Sequence, residues 1–199
     1  MLPRFSSLRR IFSAVALAAI GGASSVVHAA DTWVGNSSNG SWQASGNWNG
    51  GTVPNTSIQV AFAANGSFAP TVNASASVGE ILLQGSFSQS FGGTGTLSIY
   101  SPTAWNYTAV ANNSAQTITF NTNLATSSTS GNGNYIATTS TGGLIFNGTL
   151  AINGANLDLI AQSGTTITLN GGVTGALQIG DSSYYTGPSN GTGTRPSPI

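Results

Sequence analysis

Carboxylates are the side chains of this sequence best suited to catalysis. They stand at Asp31, Glu80, Asp158 and Asp181, and two carboxyl groups roughly 5–9.5 Å apart are the arrangement that glycoside hydrolysis requires. Glu80 and Asp158 each lie within an aliphatic, strand-like run, where an outward-facing position in an alternating strand accounts for a carboxylate without catalysis. Asp181 follows another such run and is typical of a turn. We therefore predict structural or solvated roles for these carboxylates and no catalytic residue.

Other catalytic and metal-binding arrangements need residues that the sequence lacks. It contains no cysteine and a single histidine, His28, which lies in the expected leader described below. A Ser-His-Asp arrangement needs an imidazole to carry the proton, and protein zinc sites are built mainly from cysteine and histidine. We therefore expect a non-enzymatic protein with no metal site and no cofactor.

The aromatic side chains allow two interpretations. Trp33, Trp42 and Trp48 precede the first strand-like run in a background of Gly, Ser and Asn, which favours a buried cluster that caps the end of a core. If the same rings were exposed, they could stack on sugars. Trp105 and Tyr107 lie in a polar segment predicted to be a loop, and loops commonly carry binding residues. These two residues are therefore the candidate ligand contacts.

The first residues have the features of a signal peptide. A basic region contains Arg4, Arg9 and Arg10, and an apolar stretch of small and aliphatic residues follows over 11–27. We place cleavage between Ala29 and Ala30, so that residues 1–29 are the leader and the protein is secreted or held at the cell surface. A retained membrane anchor is disfavoured because the stretch is shorter than the ~20 apolar residues of a spanning helix.

Removal of the leader leaves Arg195 as the one basic residue against four carboxylates. Nucleic-acid binding requires a basic surface that neutralises phosphates, and anionic lipids require the same. We therefore expect neither a nucleic-acid partner nor membrane insertion after the leader is removed.

Short runs rich in Thr, Ile, Leu, Val and Phe follow one another through the chain, separated by Gly and Asn, and no helical period of 3.6 residues accompanies them. The pairs Asn65-Gly66, Asn147-Gly148, Asn153-Gly154 and Asn170-Gly171 are expected to turn the chain through positive φ. The predicted strands are Ile58–Phe62, Val78–Leu83, Thr96–Tyr100, Thr117–Phe120, Leu144–Phe146, Thr149–Ile152, Leu157–Ile160, Thr165–Leu169 and Ala176–Ile179.

Two all-β architectures fit these runs: a parallel β-helix (β-solenoid) and, as the runner-up, an antiparallel β-sandwich. The carboxy-terminal runs span only three to five residues, shorter than sandwich strands of about 5–6 residues, which favours the solenoid. The predicted organisation is an aromatic-rich amino-terminal cap over 30–57, a solenoid over 58–181, and a disordered Gly/Pro/Ser tail over 182–199. Two polar segments, near 101–115 and 125–142, break any fixed repeat and are expected to be protruding loops.

The order of short motifs resembles the amino-terminal segment of bacterial exported proteins with autotransporter-associated β-strand repeats. The motifs, over Asp31 to Tyr100, are Trp33/Gly35, Trp42, Asn47/Trp48, Gly51/Pro54, Ile58/Val60/Phe62, Thr71/Val72, Val78/Gly79/Ile81 and Gly95/Thr96/Leu97/Ile99. This resemblance implies a right-handed parallel β-helix of structural or adhesive function, with surface glycans or other cell-surface proteins as partners. Autotransporters also carry a carboxy-terminal barrel of alternating strands. No such strands follow Ile179, so the chain is either a short free passenger-like protein or a truncated piece of a larger surface protein. We favour truncation, because a solenoid normally needs a polar terminal cap over its last coil and the sequence shows none.

Overall fold

A computed structural model describes residues 31–56, 58–101, 107–128, 134–154 and 157–179. Over these residues the chain is an all-β, parallel β-solenoid of about five turns, with one short 3-10 helix at Ser45–Asn47 and no α-helix. No helix in this part of the chain is long and apolar enough to cross a membrane. The strands are β1 Asp31–Thr32, β2 Gln59–Phe62, β3 Ala76–Val78, β4 Glu80–Leu83, β5 Thr96–Ser101, β6 Tyr107–Asn112, β7 Ile118–Phe120, β8 Asn123–Ser128, β9 Asn134–Thr138, β10 Leu144–Phe146, β11 Leu150–Asn153, β12 Leu157–Ala161, β13 Ile167–Leu169, β14 Val173–Thr174 and β15 Leu177–Ile179.

The described strands form three sheets that enclose one core. Sheet 1 has the order β1-β2-β4-β6-β9-β12-β15, sheet 2 the order β7-β10-β13, and sheet 3 the order β3-β5-β8-β11-β14. From β6 onward each coil passes through sheet 1, then sheet 2, then sheet 3. The first two coils run from β2 to β3 and from β4 to β5, with isolated parallel bridges at Thr71 and Phe91 in place of a sheet 2 strand. All strand pairs in these sheets are parallel. The predicted solenoid is confirmed, and the antiparallel sandwich is wrong.

The core is built from columns of aligned side chains. In sheet 1 the aligned residues Val60, Ile81, Val110, Ile136 and Leu159 all face inward and are buried. Alternate residues point to opposite faces of a strand, so each coil contributes only one to three inward apolar residues per strand. This explains how a chain with 39% hydrophobic residues builds a continuous core.

A stack of phenylalanines runs along the core from sheet 2. The Phe91 and Phe120 rings lie 4.3 Å apart at 12°, and Phe120 and Phe146 lie 5.1 Å apart at 14°. Phe62 meets Phe91 edge-on at 4.8 Å, and Leu169 continues the column beyond Phe146. Aromatic pairs of this kind contribute about 0.5–1.5 kcal/mol beyond their buried area.

Coil length varies, which explains why no fixed repeat is visible in the sequence. An exposed ladder of asparagine side chains shows this. Asn147 donates a 2.8 Å hydrogen bond to Asn121, which lies 26 residues earlier in the sequence. Asn170 donates a 2.9 Å hydrogen bond to Asn147, which lies only 23 residues earlier. The stacking depends on the alignment of neighbouring coils and not on an equal spacing in the chain.

The two predicted loop insertions are largely wrong. The segment 101–115 contains β6, which pairs with β4 and β9 in sheet 1. The segment 125–142 contains most of β8 in sheet 3 and all of β9 in sheet 1. Their polar composition was misleading because the outward positions of these strands carry Thr, Ser, Asn and Ala. Residues 102–106 and 129–133 lie outside the described residues, as do the predicted leader, the tail 182–199 and Asp181.

The predicted strand Val78–Leu83 is two strands in two sheets, because the chain turns a corner at Gly79, between β3 and β4. Among the Asn-Gly pairs, the predicted positive φ is found at Gly154, with φ 104°, and not at the other three. Gly148 and Gly171 are not among the glycines with positive φ. A Cβ on Gly171 would lie 1.9 Å from the carbonyl oxygen of Gly148, so glycine is needed here for close stacking of corners.

Candidate functional site

The three tryptophans of the cap form a buried cluster on top of the phenylalanine stack. Trp48 lies 5.1 Å from Trp33 and 4.7 Å from Trp42, both edge-on, and all three rings lie within 6.1 Å of Phe62. Each is at most 2% exposed. The predicted cap is confirmed, and a sugar platform made of these three rings is excluded because their faces are used in packing.

Backbone pairing joins the cap to the first coil. Strand β1 pairs with β2, and the amide nitrogens of Trp33 and Trp42 donate 2.9 Å hydrogen bonds to the carbonyl oxygens of Ala61 and Thr71. The cap therefore continues the ladder of the solenoid as well as covering its core.

Asn47 organises the cap loop, a role that sequence reasoning missed. Its side-chain nitrogen donates 2.9 Å bonds to the carbonyl oxygens of Asn39 and Ser41, and its side-chain oxygen accepts a 2.8 Å bond from the amide of Ser37. The residue is fully buried, and buried amides are normally satisfied in this way. The available signal was its position directly before Trp48 in the cap motif.

Glu80 and Asp158 cannot act as a glycosidase pair in this fold. They lie on β4 and β12, which are separated by β6 and β9 in sheet 1, and three steps of about 4.8 Å place them ~14 Å apart. This exceeds the roughly 5–9.5 Å that the two catalytic carboxyl groups require. Glu80 is half-buried and accepts a hydrogen bond from the side chain of Gln59.

Of the structural and solvated roles predicted for Asp158, the structure leaves the structural one. Its neighbours Leu157 and Leu159 belong to the core, so the alternation of the strand points Asp158 outward as predicted. The residue is nevertheless only 3% exposed.

Of the two candidate ligand contacts, Trp105 lies outside the described residues. Tyr107 begins β6 at the edge of the corner between sheets 3 and 1. Just before this corner, the side chain of Tyr100 is 39% exposed on the outer face of sheet 3. It is aligned with Ser127, which is aligned in turn with Asn153. One exposed ring beside hydroxyl and amide groups is a surface that could stack on and hydrogen-bond to a sugar.

A groove of about 280 Å³ lies beside the cap and is lined by Asp31, Val53, Pro54 and Ile58, among others. The Asp31 carboxylate accepts hydrogen bonds from the amides of Thr32 at 2.8 Å and Gly50 at 2.9 Å. These bonds tie the first strand to the end of the cap loop, so Asp31 has a structural role here.

Comparisons with protein-family profiles, with curated proteins and with solved structures found no match to this chain. Within the described ranges, no group of three or more His, Cys, Asp or Glu side chains is placed to hold a metal ion.

Proposed function

We propose that this chain is an exported, non-enzymatic β-solenoid with a structural or adhesive role at a bacterial cell surface. The observation that carries the proposal is the stack of parallel coils closed at its amino-terminal end by the tryptophan cap. Such a stack is an extended, rigid body whose outer faces are available for contact with other surfaces. The likeness of the cap motifs to autotransporter-associated repeats supports the same role.

The outer surface also suits display better than catalysis. Its corners carry ladders such as Asn121, Asn147 and Asn170, whose side chains bond to one another along the solenoid. Such ladders stabilise the stack without needing disulfides, which this cysteine-free chain cannot form. An exported protein benefits from this because it must persist outside the cell.

Two measurements test the proposal. Expression of the complete chain in a bacterial host, followed by mass spectrometry of the exported product, should give an amino terminus at Ala30. Beads coated with this product should adhere to bacterial cells or extracellular polysaccharide more strongly than beads coated with an unrelated solenoid. A product that stays in the cytoplasm and keeps residues 1–29 would contradict the proposal. So would beads that adhere no more strongly than the control beads.

Carbohydrate binding is the second candidate, favoured by the exposed ring of Tyr100 beside Ser127 and Asn153. If this surface binds a glycan, Tyr100→Ala should abolish binding on a glycan array. Stability should change by no more than about 0.5 kcal/mol, because the ring is exposed. Phe68→Ala, which removes an exposed ring elsewhere (41% exposed), is the matched control and should leave glycan binding intact.

A further inference from the structure

The groove beside the cap, between the end of the cap loop and the first strand, has one polar and one apolar wall. We call it the cap groove, and its lining includes Asp31, Asn49, Thr52, Val53, Pro54 and Ile58. Its volume of about 280 Å³ is close to the lower end of the range for small-molecule pockets. The cap groove therefore suits a small ligand or a single side chain rather than a polymer.

The walls of the cap groove are held in place by the fold. The amide of Asn49 donates a 2.9 Å hydrogen bond to the carbonyl oxygen of Thr32, and the amide of Ile58 donates a 3.0 Å bond to the carbonyl oxygen of Asn55. Val53 and Ile58 pack against the core cluster. A ligand would therefore enter a preformed site and would not have to order a loop, which is a large part of the cost of binding.

The carboxylate of Asp31 uses only one of its two oxygens within the protein. Oδ1 accepts both backbone hydrogen bonds, from the amides of Thr32 and Gly50, and no hydrogen bond from the described part of the chain reaches Oδ2. Gly50 leaves this oxygen open, because a Cβ at that position would lie 3.3 Å from it. Oδ1 thus has a structural role, and Oδ2 is available to a ligand.

The charge of the molecule specifies the sign of that ligand. The described residues include three carboxylates, Asp31, Glu80 and Asp158, and no Lys, Arg or His. A cation that pairs with Asp31 must therefore come from outside this part of the chain. A guanidinium group prefers to bond both oxygens of a carboxylate, but Oδ1 already accepts two bonds.

A primary ammonium group fits the cap groove better. It is compact and has three donors, so one can bond Asp31 Oδ2 while the others bond oxygen atoms of Asn49 and Thr52. Its carbon chain would lie along the apolar wall, as the stems of lysine side chains do on apolar surfaces. We propose that the cap groove binds a primary alkylammonium group, with Asp31 as its counter-ion and Val53 and Ile58 against its carbon chain. This site goes beyond the proposed structural role and does not depend on it.

Titration of the ¹⁵N-labelled protein with n-butylammonium chloride, followed by NMR at constant ionic strength, tests this proposal. The amide signals of Thr32 and Gly50, which bond Asp31, should shift and reach saturation. The uncharged analogue 1-butanol should leave both signals in place. Affinity should rise from ethylammonium to n-butylammonium by up to about fourfold per CH₂ group buried against the apolar wall. Equal affinity for 1-butanol and n-butylammonium would show that the carboxylate is not recognised, and the proposal would be wrong.

Asp31→Asn separates the two oxygens of the carboxylate. The amide side chain keeps an acceptor for Thr32 and Gly50 but replaces the free oxygen with an NH₂ donor, so the protein should stay folded. Affinity for n-butylammonium should fall about 10–100-fold, the effect of losing a hydrogen bond between charged groups. Asp158→Asn, which removes a carboxylate on the distant strand β12, is the matched control and should bind as the wild type does. Unchanged affinity in Asp31→Asn would overturn the proposal.

Two further titrations identify the source of the ammonium group. An acetylated Gly-Lys-Gly amide that binds as tightly as n-butylammonium would assign the cap groove to a lysine of a partner protein, whereas much weaker binding would assign it to free amines. Either result supports the proposal. The exported product should bind n-butylammonium as the complete chain does. Binding by the complete chain alone would mean that the new terminal ammonium at position 30 pairs with Asp31, and the proposal would be wrong. These readouts use purified protein and do not depend on adhesion, so they stay interpretable if the proposed function fails.

Discussion

The indole nitrogen of Trp48 donates a 2.9 Å hydrogen bond to the backbone carbonyl oxygen of Trp42. This bond fixes the central ring of the cap between Trp33 and Trp42 and directly above Phe62. The cap is therefore held by ring packing, by this bond and by the backbone pairing of β1 with β2.

Trp48→Ala should lower the free energy of unfolding by about 3–5 kcal/mol, because a buried aromatic ring is removed and a cavity is left. Trp48→Phe keeps a ring but loses the bond to Trp42, and should cost at least ~1 kcal/mol. Urea unfolding followed by circular dichroism measures both. Phe68→Ala, the exposed control, should stay within about 0.5 kcal/mol of the wild type. A wild-type unfolding midpoint for Trp48→Ala would show that the cap does not stabilise the solenoid.

Thr126→Val should stabilise the protein. Thr126 is fully buried in sheet 3, aligned between Ile99 and Ile152, and its hydroxyl has no hydrogen-bond partner. An unsatisfied buried hydroxyl costs about 1–3 kcal/mol, and valine has nearly the same shape. The urea midpoint should therefore rise.

Thr138→Val is the matched control for this change. Thr138 is also buried, but its hydroxyl accepts a 3.0 Å bond from the amide of Gln162 and is bonded to Thr165. Here valine removes two bonds and leaves the amide of Gln162 without its acceptor, so the midpoint should fall. Equal shifts for the two variants would mean that the buried hydroxyl of Thr126 carries no penalty.

Gly171→Ala should destabilise the protein by about 1–3 kcal/mol, the usual cost of overpacking. The new Cβ would meet the carbonyl oxygen of Gly148, a backbone atom of the coil below, at 1.9 Å. Gly172→Ala is the control at the next position, where a Cβ meets nothing within 4 Å. Its φ lies outside the left-handed region, so alanine there should be neutral or slightly stabilising. Thermal unfolding of the two variants should separate them clearly.

Glu80→Gln and Asp158→Asn should leave any measurable activity on polysaccharides unchanged. The two carboxylates are ~14 Å apart by strand spacing and cannot share one glycosidic bond. Reducing-sugar release from a panel of polysaccharides, measured at equal concentrations of folded protein, checks this. A loss of the ~10²–10⁴-fold size typical of general acid–base catalysis would contradict the non-enzymatic proposal.

Local pattern in the sequence was sufficient for the fold class. Short β-rich runs such as Leu144–Phe146 and Leu150–Asn153 are too closely spaced for sandwich strands, and this spacing predicted a solenoid. The tryptophan cap was also predictable, because three large rings in a background of Gly, Ser and Asn can be buried only against one another and the first coil. Both features depend on residues within a few positions of each other. Over that distance, strand propensity and the alternation of inward and outward side chains decide the local structure.

Tertiary structure decided everything that depends on the alignment of one coil with the next. The polar outward residues of β6, β8 and β9 predict loops, whereas pairing with the neighbouring coils makes these segments strands. Position 171 must be glycine because a Cβ there would clash with the carbonyl oxygen of Gly148, 23 positions earlier. Asp158 is buried although the alternation of its strand points it outward. Partners one coil away in this solenoid lie 20 or more positions apart at spacings that change from coil to coil. The sequence by itself therefore determined the class of the fold and its capped end, whereas the contacts between coils determined which residues hold the coils together.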